Sequence, residues 1–257
     1  MISQDQFSAY LQNLDAGLFD YVPSQTGGGD RKSLLTIQNI VRNVIPHYVY
    51  FEIGSHLGGT LVPHLMDPLC RHVISVDKRP PTQMDERGVM FDYNQNSTKK
   101  MLATLESQVP AATLLKLATF DLDSSELNGS QIPVKVDYAF IDGEHTNVAV
   151  FRDFLSTMRF LSESSIVGFH DAHLLCDGLQ NIECLLRDRG IVFNSYFLHD
   201  NLYLIVTGEF ANIACQALER MSRDRDKFIQ DSRIALWRII AGNVALIDGN
   251  AIGHLPA

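Results

Sequence analysis

From Tyr48 onward, short apolar runs alternate with stretches whose apolar residues recur at helical spacing. The first five runs are rich in β-branched and aromatic residues and mostly unalternated, which is typical of strands buried on both faces of a parallel sheet. The runs predict strands at Tyr48–Ile53, His72–Val76, Thr113–Ala118, Val136–Ile141, Ser165–Phe169, Ile191–Phe197 and Leu202–Thr207. The stretches between the first five strands predict helices at Thr60–Leu69, Ser97–Gln108 and Val148–Leu161.

Strands that alternate with helices build a parallel sheet with right-handed crossovers, so the expected fold class is α/β and doubly wound. The last two strands differ, because only four residues, Leu198 to Asn201, separate them. A parallel crossover needs about a dozen residues or more, so these strands must form an antiparallel hairpin. We therefore predict a seven-stranded, Rossmann-like sheet that is mostly parallel and ends in an antiparallel hairpin, with helices at both ends of the chain.

The two ends of the chain lie outside this alternation. Residues 1–45 predict a helical cap with helices near Gln4–Asp15 and Ser33–Val44, residues 46–208 the core, and residues 209–257 a helical extension of a single globular domain. Three glycines within Gln25–Asp30 indicate either a flexible connector or a mobile flap over a binding site. The apolar segment Ile234–Ile247 either completes the core or joins two copies in a homo-oligomer.

The charge and hydropathy of the 257-residue chain limit the classes of partner that it is expected to bind. A formal net charge of -9 argues against a nucleic-acid partner, because phosphate binding needs a basic surface. The most apolar segment, Ile234–Ile247, is interrupted by Arg238 and is shorter than the roughly 20 residues of a membrane span. We see no secretory signal, and the four scattered cysteines are typical of reduced thiols. The expectation is a cytoplasmic protein with neither nucleic acid nor membrane as partner.

A glycine-containing loop, Gly54 to Thr60, follows the first predicted strand and opens a helix. Such a loop lets the backbone approach a ligand closely. A dinucleotide fingerprint requires a second glycine where this chain has His56, and a side chain there would obstruct a pyrophosphate. Asp77 ends the second strand, where a carboxylate accepts hydrogen bonds from ribose hydroxyls. The loop thus favours a nucleoside ligand without a pyrophosphate, such as S-adenosylmethionine.

The sequence from Glu52 to Thr60 resembles the E-x-G-x-x-x-G-x-[ST] motif of class I methyltransferases, whose sheet also ends in an antiparallel hairpin. Two further segments, Phe140–His145 and Gly168–Asp171, resemble one branch of that class. The branch contains small-molecule O-methyltransferases of macrolide and aminocoumarin sugars and cephalosporin hydroxylase-like proteins. The similarity covers Tyr48 to Asp171 and the terminal hairpin.

The resemblance implies S-adenosylmethionine as cofactor and a set of residues that bind it. Family members contact the cofactor at positions matching Glu52, Gly54 and Asp77, and the adenine through the loop after the third strand, here Thr119–Asp121. The expected cofactor-binding residues are Glu52, Gly54, Ser55, Gly58, Thr60, Asp77, Phe120, Asp121 and Asp142.

Carboxylates and imidazoles gather at the ends of the fourth and fifth strands. Asp142 and Asp171 end adjacent parallel strands, at the edge where doubly wound folds bind ligands. By resemblance, Asp142, His170 and Asp171 match positions that hold a divalent metal in metal-dependent members. The sugar methyltransferases carry a carboxylate where this chain has His170, and that imidazole favours manganese or another transition metal over magnesium.

These observations predict a metal-assisted methyl transfer from S-adenosylmethionine to a hydroxyl of a small-molecule acceptor. Glu144 or His145 is the expected catalytic base: the family's sugar enzymes use the position of Glu144, and His145 has the pKa better suited to neutral conditions. Two alternatives are a metal-dependent oxidoreductase or hydroxylase, with His170, His173 and a carboxylate as an iron triad, and a non-catalytic protein that binds S-adenosylmethionine.

Overall fold

The computed structural model describes residues 2–198, 201–213 and 215–252, without the side chains of residues 213, 215 and 243–252. Strands and helices alternate along the described chain as the sequence predicts. The strands are β1 (Tyr48–Ile53), β2 (Cys70–Val76), β3 (Thr82–Met84), β4 (Met90–Asp92), β5 (Leu117–Phe120), β6 (Val136–Ile141), β7 (Leu161–Phe169), β8 (Phe193–Phe197) and β9 (Tyr203–Thr207). The helices are α1 (Gln4–Gln12), α2 (Gly28–Val44), α3 (Val62–Met66), α4 (Thr98–Gln108), α5 (Ala111–Leu114), α6 (Asn147–Met158), α7 (Cys176–Asp188), α8 (Glu209–Ile213), α9 (Cys215–Met221) and α10 (Arg225–Ile252).

Seven strands form one sheet in the order β5-β2-β1-β6-β7-β9-β8. The pairs β1–β2, β2–β5, β1–β6 and β6–β7 are parallel, while β9 runs antiparallel to both β7 and β8. The predicted fold class and terminal hairpin are therefore confirmed. The small antiparallel pair β3–β4 is an addition that the sequence analysis did not find. Its strands are three residues long and mostly exposed, too short for a periodic pattern.

Apolar side chains cover both faces of the sheet. On one face, buried residues of α1, α2, α3 and α4 pack against the strands, with Tyr48, Tyr50 and Tyr138 among the largest buried side chains. On the other, α6 and α7 pack their buried residues against the sheet. Thr146 caps α6 by accepting a hydrogen bond from the amide of Ala149, which fixes where that helix begins.

The third predicted strand begins and ends earlier in the chain than the observed one. The sequence pattern placed it at Thr113–Ala118, whereas α5 occupies Ala111–Leu114 and β5 begins only at Leu117. Pro110 stands at the start of α5, where its missing amide hydrogen costs nothing. The apolar residues around Leu114 suit a helix turn as well as a strand, and pairing with β2 decides where the strand begins.

The glycines of Gln25–Asp30 do not form an open connector. Gly27 caps α2, and the helix begins at Gly28. The helix start is held by a distant contact, because a carboxylate oxygen of buried Asp30 accepts a hydrogen bond from the amide of Asn201 at 3.1 Å. Tertiary contacts thus override the low helix propensity of glycine.

The last helix, α10, leaves large apolar side chains in contact with solvent. Trp237 is 67% exposed, and Ile234 and Ile239 are also exposed. The remaining apolar residues predicted to contribute, Val244 to Ile247, lie outside the described side chains. No helix within the described residues is long and apolar enough to cross a membrane.

Candidate active site

The glycine loop makes a turn that excludes any side chain at its first position. Gly54 donates its amide to the carbonyl oxygen of Val76 at 2.8 Å and adopts φ +87°. A Cβ atom added to Gly54 would lie 1.9 Å from the carbonyl oxygen of Asp142. The loop therefore packs directly on the end of β6, and only glycine satisfies both constraints.

Asp77 fixes the shape of this loop from the end of β2. One of its carboxylate oxygens accepts hydrogen bonds from the amide of His56 at 3.0 Å and from the Asn96 amide group at 3.3 Å. The other accepts from the amide of Arg79 at 2.8 Å, and the Arg79 guanidinium lies 3.4 Å from the carboxylate. The carboxylate is thus rigidly placed at the carboxyl edge of the sheet.

A first cleft of about 830 Å³ opens between the glycine loop, the end of β2 and the end of β6. It brings together most of the predicted cofactor and catalytic residues. Those that line it are Gly54, Ser55, Thr60, Asp77, Asp142, Glu144 and His145. The predicted residues that do not line it are Glu52, Gly58, Phe120 and Asp121.

The misplaced third strand explains part of this difference. Phe120 is the last residue of β5, and the Asp121 carboxylate accepts a hydrogen bond from Thr98. The chain reaches the first cleft slightly later, where Leu122, Asp123 and Ser124 line it. Because β5 ends at Phe120 and not at Ala118, the loop after it begins later than the sequence pattern predicted.

Glu52 lies beneath the loop, fully buried, where it accepts hydrogen bonds from Tyr50 Oη at 2.5 Å and Thr60 Oγ1 at 2.6 Å. The contact with Thr60 ties β1 to the end of the glycine loop. Burial raises the pKa of Glu52 to about 7, although both hydrogen bonds oppose that shift. In this position the side chain supports the loop from below.

We expect ionisation of Glu52 to lower the free energy of unfolding as pH rises from 4.5 to about 7. Because the pKa of Glu52 is higher in the folded than in the unfolded state, its contribution is full at low pH and is lost as pH rises through about 7. The shift corresponds to roughly 3 kcal/mol. Chemical denaturation at several pH values should show this loss in the wild type and in exposed Glu106→Gln, and a flatter profile in Glu52→Gln. Parallel profiles for all three proteins would contradict it.

The segment Pro23–Thr26 closes the first cleft from the N-terminal side. It passes so close to the loop that a Cβ atom on Gly59 would lie 2.6 Å from the Cβ atom of Ser24. A flap over a binding site is one of the two interpretations that the sequence of this segment permits. In the sequence, Gly59 is the one signal of this contact, because a glycine permits another segment to approach closely. That the approaching segment is Pro23–Thr26 becomes known only from the fold.

A second cleft of about 1480 Å³ adjoins the first. The two share Gln25, Tyr93, Asp142 and His145 as walls. Asp30, His170 and Asp171 line only the second cleft, as do residues from the β3–β4 hairpin. Asp142 and His145 thus stand where the two clefts meet.

Imidazoles and carboxylates alternate at this junction. The Nε2 atom of His145 lies 3.2 Å from Asp142 Oδ1, and its Nδ1 atom lies 3.0 Å from Asp171 Oδ2. The Nδ1 atom of His170 lies 3.0 Å from Asp142 Oδ1, and its Nε2 atom lies 3.4 Å from Asp30 Oδ2. Three carboxylates therefore surround two imidazoles, a set that can bind protons or hold a cation.

Mutual electrostatic attraction lowers the pKa of the carboxylate at the junction and raises the pKa values of the two imidazoles. Burial would raise the pKa of Asp142, but the charge of His170 and the hydrogen bond with His145 hold it well below its usual value. Burial disfavours the charged form of His170, but the charge of Asp142 outweighs it and holds the pKa of His170 well above its usual range. The pKa of His145 is also raised, because Asp142 and Asp171 outweigh the effect of burial.

Three side chains at the junction can converge on one metal ion. Among the described residues, Asp142, His145 and His170 offer ligand atoms that all lie within 4.8 Å of one another. This set contains His145 where the sequence analysis placed Asp171, whose carboxylate instead contacts the His145 ring. Although carboxylates lie near both nitrogens of the buried His170 ring, neither nitrogen forms a hydrogen bond of ordinary geometry with the described residues.

Glu144 and His173 stand apart from this set. The Glu144 carboxylate pairs with Lys78 Nζ at 3.1 Å and accepts from Thr146 Oγ1 at 3.1 Å, and it lines only the first cleft. His173 lies 3.8 Å from Asp171 and outside the converging group. Among the described residues, the alternative iron triad of His170, His173 and a carboxylate therefore lacks ligand atoms that all lie within 4.8 Å of one another.

The seven-stranded sheet with its antiparallel end, the glycine loop after β1 and the carboxylate after β2 define the class I methyltransferase fold. Residues 51–172 match the family model described as a methyltransferase domain. This match to a methyltransferase domain bears out the resemblance seen in Glu52–Thr60. None of the curated proteins matches the sequence significantly.

Two solved structures share this fold at low sequence identity, and a third is similar to the chain. A candidate O-methyltransferase from Klebsiella pneumoniae is 11% identical, with a TM-score of 0.50 over 77% of this chain and 89% of that one. The calicheamicin methyltransferase CalS11 is 13% identical, with a TM-score of 0.50 over 81% of this chain and 95% of that one. The O-methyltransferase TomG from Streptomyces achromogenes, solved with S-adenosylmethionine, is 13% identical, with a TM-score of 0.48 over 80% and 99% of the chains.

Proposed function

We propose that the chain transfers the methyl group of S-adenosylmethionine to a hydroxyl of a small-molecule acceptor, with the help of a divalent cation. The observation that carries the proposal is the junction of the two clefts at Asp142 and His145. The first cleft has the loop and the acid of a cofactor site, and the second offers space for an acceptor beside it. Candidate metal ligands lie where the cofactor and the acceptor would meet.

We infer that S-adenosylmethionine binds in the first cleft, whose walls offer polar groups to it. We place the ribose on Asp77, the adenine beside Leu122 and Asp123, and the amino-acid part against the glycine loop. The hydroxyl of Ser55 is buried in the wall of this cleft and has no hydrogen-bond partner among the described residues. An unsatisfied buried hydroxyl is costly, so a ligand polar group at this point would be stabilising.

The chain's own residues would align the acceptor. A displacement at a methyl group gains much of its rate from holding the nucleophile in line, and the walls shared by the two clefts lie where that alignment is set. Gln25 and Tyr93 line both clefts and would keep water from the reacting atoms. Substrates would enter and products leave past the segment Pro23–Thr26 or through the second cleft.

The donor set fits a transition-metal ion. We propose Asp142, His145 and His170 as its ligands, with Asp171 orienting the His145 ring from behind, as carboxylates behind metal-bound imidazoles do. The unsatisfied nitrogens of His170 support ligation by this ring. Two imidazoles and a carboxylate suit manganese, iron, cobalt, nickel or zinc better than magnesium. A bound ion would lower the pKa of an acceptor hydroxyl and orient it.

Chelation separates this site from one that handles protons alone. We expect exhaustive treatment with EDTA to abolish the formation of S-adenosylhomocysteine from S-adenosylmethionine and a metabolite extract. Manganese should restore activity at least as well as magnesium, because imidazoles belong to the donor set. Full activity at negligible metal content would contradict the proposal that methyl transfer requires a divalent cation. It would leave His145, held between Asp142 and Asp171, as a general base.

We also propose that two copies of the chain meet through α10. The large exposed fraction of Trp237 and the neighbouring exposed Ile234 support an apolar contact surface. Light scattering at high micromolar concentration should report a dimer or larger species, and Trp237→Glu should shift it to the monomer. A monomeric wild type at that concentration would contradict the proposal.

A further inference from the structure

The second cleft has acidic and basic residues on different walls. Its acidic wall is the junction, where each of the carboxylates Asp30, Asp142 and Asp171 lies within 4 Å of an imidazole. Its basic residues are Arg87 and Arg223, which come from the turn between β3 and β4 and from the segment just before α10. Two arginines in one cleft stand out in a chain whose net charge is -9.

Arg223 is exposed, and its backbone is fixed. Its amide donates to the carbonyl oxygen of Phe197 at 2.7 Å, which continues the sheet edge at the end of β8. Its guanidinium lies 5.8 Å from the centroid of the Phe228 ring. Nearby Arg225 pairs with Glu183 at 2.6 Å, whereas no described carboxylate lies within ion-pair distance of Arg223. The geometry therefore presents this guanidinium to the cleft without neutralisation by any carboxylate of the described residues.

Arg87 is held in place by an acid behind it. Its Nε and Nη2 atoms donate to Asp85 Oδ2 at 2.8 and 2.5 Å, and the amide of Arg87 donates to Asp85 Oδ1 at 2.8 Å. Asp85 is buried, while 29% of the Arg87 side chain is exposed. A guanidinium fixed in this way is preorganised beside the cleft.

Aromatic rings form another part of the wall. Phe91 and Tyr93 stack with ring centroids 6.4 Å apart and planes inclined by 26°, and both line the second cleft. Such a surface packs against a planar or cyclic ligand. The β3–β4 hairpin and the residue that follows it thus supply an aromatic surface and a fixed guanidinium to the second cleft.

We infer that the methyl acceptor is a cyclic or aromatic hydroxyl compound that carries an anionic group, either a carboxylate or a phosphate. Arg223 binds that group with Arg87 beside it, the ring lies on Phe91 and Tyr93, and the hydroxyl reaches the junction. The inference rests on the proposed function, because it names the class of acceptor that the second cleft takes. Arg223 then acts as a specificity-determining residue, since an anion bound by a guanidinium fixes the orientation of the molecule.

The charge of the methylated product tests this inference even while the acceptor is unidentified. The probe is S-adenosylmethionine with an isotope-labelled methyl group, incubated with the protein and metabolites extracted from the organism that encodes it. The labelled product should be retained on an anion exchanger at neutral pH. Loss of retention after phosphatase treatment would identify a phosphate, and its persistence a carboxylate. A labelled product in the unretained fraction would overturn the inference and leave the proposed function standing. Labelling of no metabolite would overturn both.

Substitution of Arg223 tests whether its guanidinium binds the anionic group of the acceptor. With the unmethylated parent of the purified labelled product as substrate, Arg223→Gln should raise KM roughly tenfold or more while kcat changes less. The matched control is Arg220→Gln, which removes an exposed arginine of α9 that does not line the cleft. Its KM should equal that of the wild type. Equal KM values for Arg223→Gln and the wild type would remove Arg223 from the inference.

Discussion

Replacement of Gly54 by alanine is expected to abolish cofactor binding and to destabilise the fold by at least about 3 kcal/mol. The Cβ atom would lie 1.9 Å from the carbonyl oxygen of Asp142, and φ +87° is strained for any residue with a side chain. Relief requires either β1 or β6 to move, since the clash is with backbone. Because both strands end at the first cleft, the movement also deforms the site.

Chemical denaturation and titration with S-adenosylhomocysteine measure the two parts of this effect. Gly129→Ala is the matched control, since a Cβ atom there meets nothing within 4 Å. That variant should unfold within about 1 kcal/mol of the wild type and bind normally. A Gly54→Ala protein with wild-type stability and affinity would show that the loop does not need to pack on Asp142.

Replacement of Asp142 by asparagine is expected to remove most of the methyl-transfer activity. The substitution takes away the negative charge that faces both His145 and His170, and with it a proposed metal ligand. A loss of several kcal/mol of transition-state stabilisation corresponds to a fall in kcat of about a hundredfold or more. The side chain remains similar in size, so the walls of both clefts should persist.

The rate of methyl transfer to the metabolite extract and the affinity for S-adenosylhomocysteine separate chemistry from binding. Affinity should change much less than the rate, because Asp142 contributes only one part of the first cleft's wall. Asp188→Asn, an exposed substitution at the end of α7, serves as the control and should behave as the wild type. A wild-type rate in Asp142→Asn would remove the junction from the mechanism.

Local sequence patterns predicted the sheet well and the helix starts less well. Strands such as Val136–Ile141 are uniformly buried because both faces of the sheet are covered, and their observed bounds equal the predicted ones. The third strand failed because the residues around Leu114 fit a helix turn equally well. The start of α2 failed for a different reason: the contact between Asp30 and Asn201 joins residues far apart in sequence.

The candidate site was predictable where it rests on strand ends. Adjacent parallel strands bring Asp142 and Asp171 to one edge whatever the details of the loops, and the glycine loop indicates Asp77 as its partner. What the sequence could not supply was the orientation of side chains. It is the fold that turns Glu52 beneath the loop, brings Asp30 from α2 to His170 and adds the walls of the β3–β4 hairpin.

Titration calorimetry with S-adenosylhomocysteine and with NAD tests the central claim most directly. We predict that S-adenosylhomocysteine binds, that NAD binding is negligible, and that Asp77→Ala weakens S-adenosylhomocysteine binding by roughly 1.5–3 kcal/mol through the lost hydrogen bonds to the ribose. His56 occupies the position at which a dinucleotide fingerprint has its second glycine, which is the reason to expect discrimination against NAD. Tight binding of NAD without binding of S-adenosylhomocysteine would contradict the account.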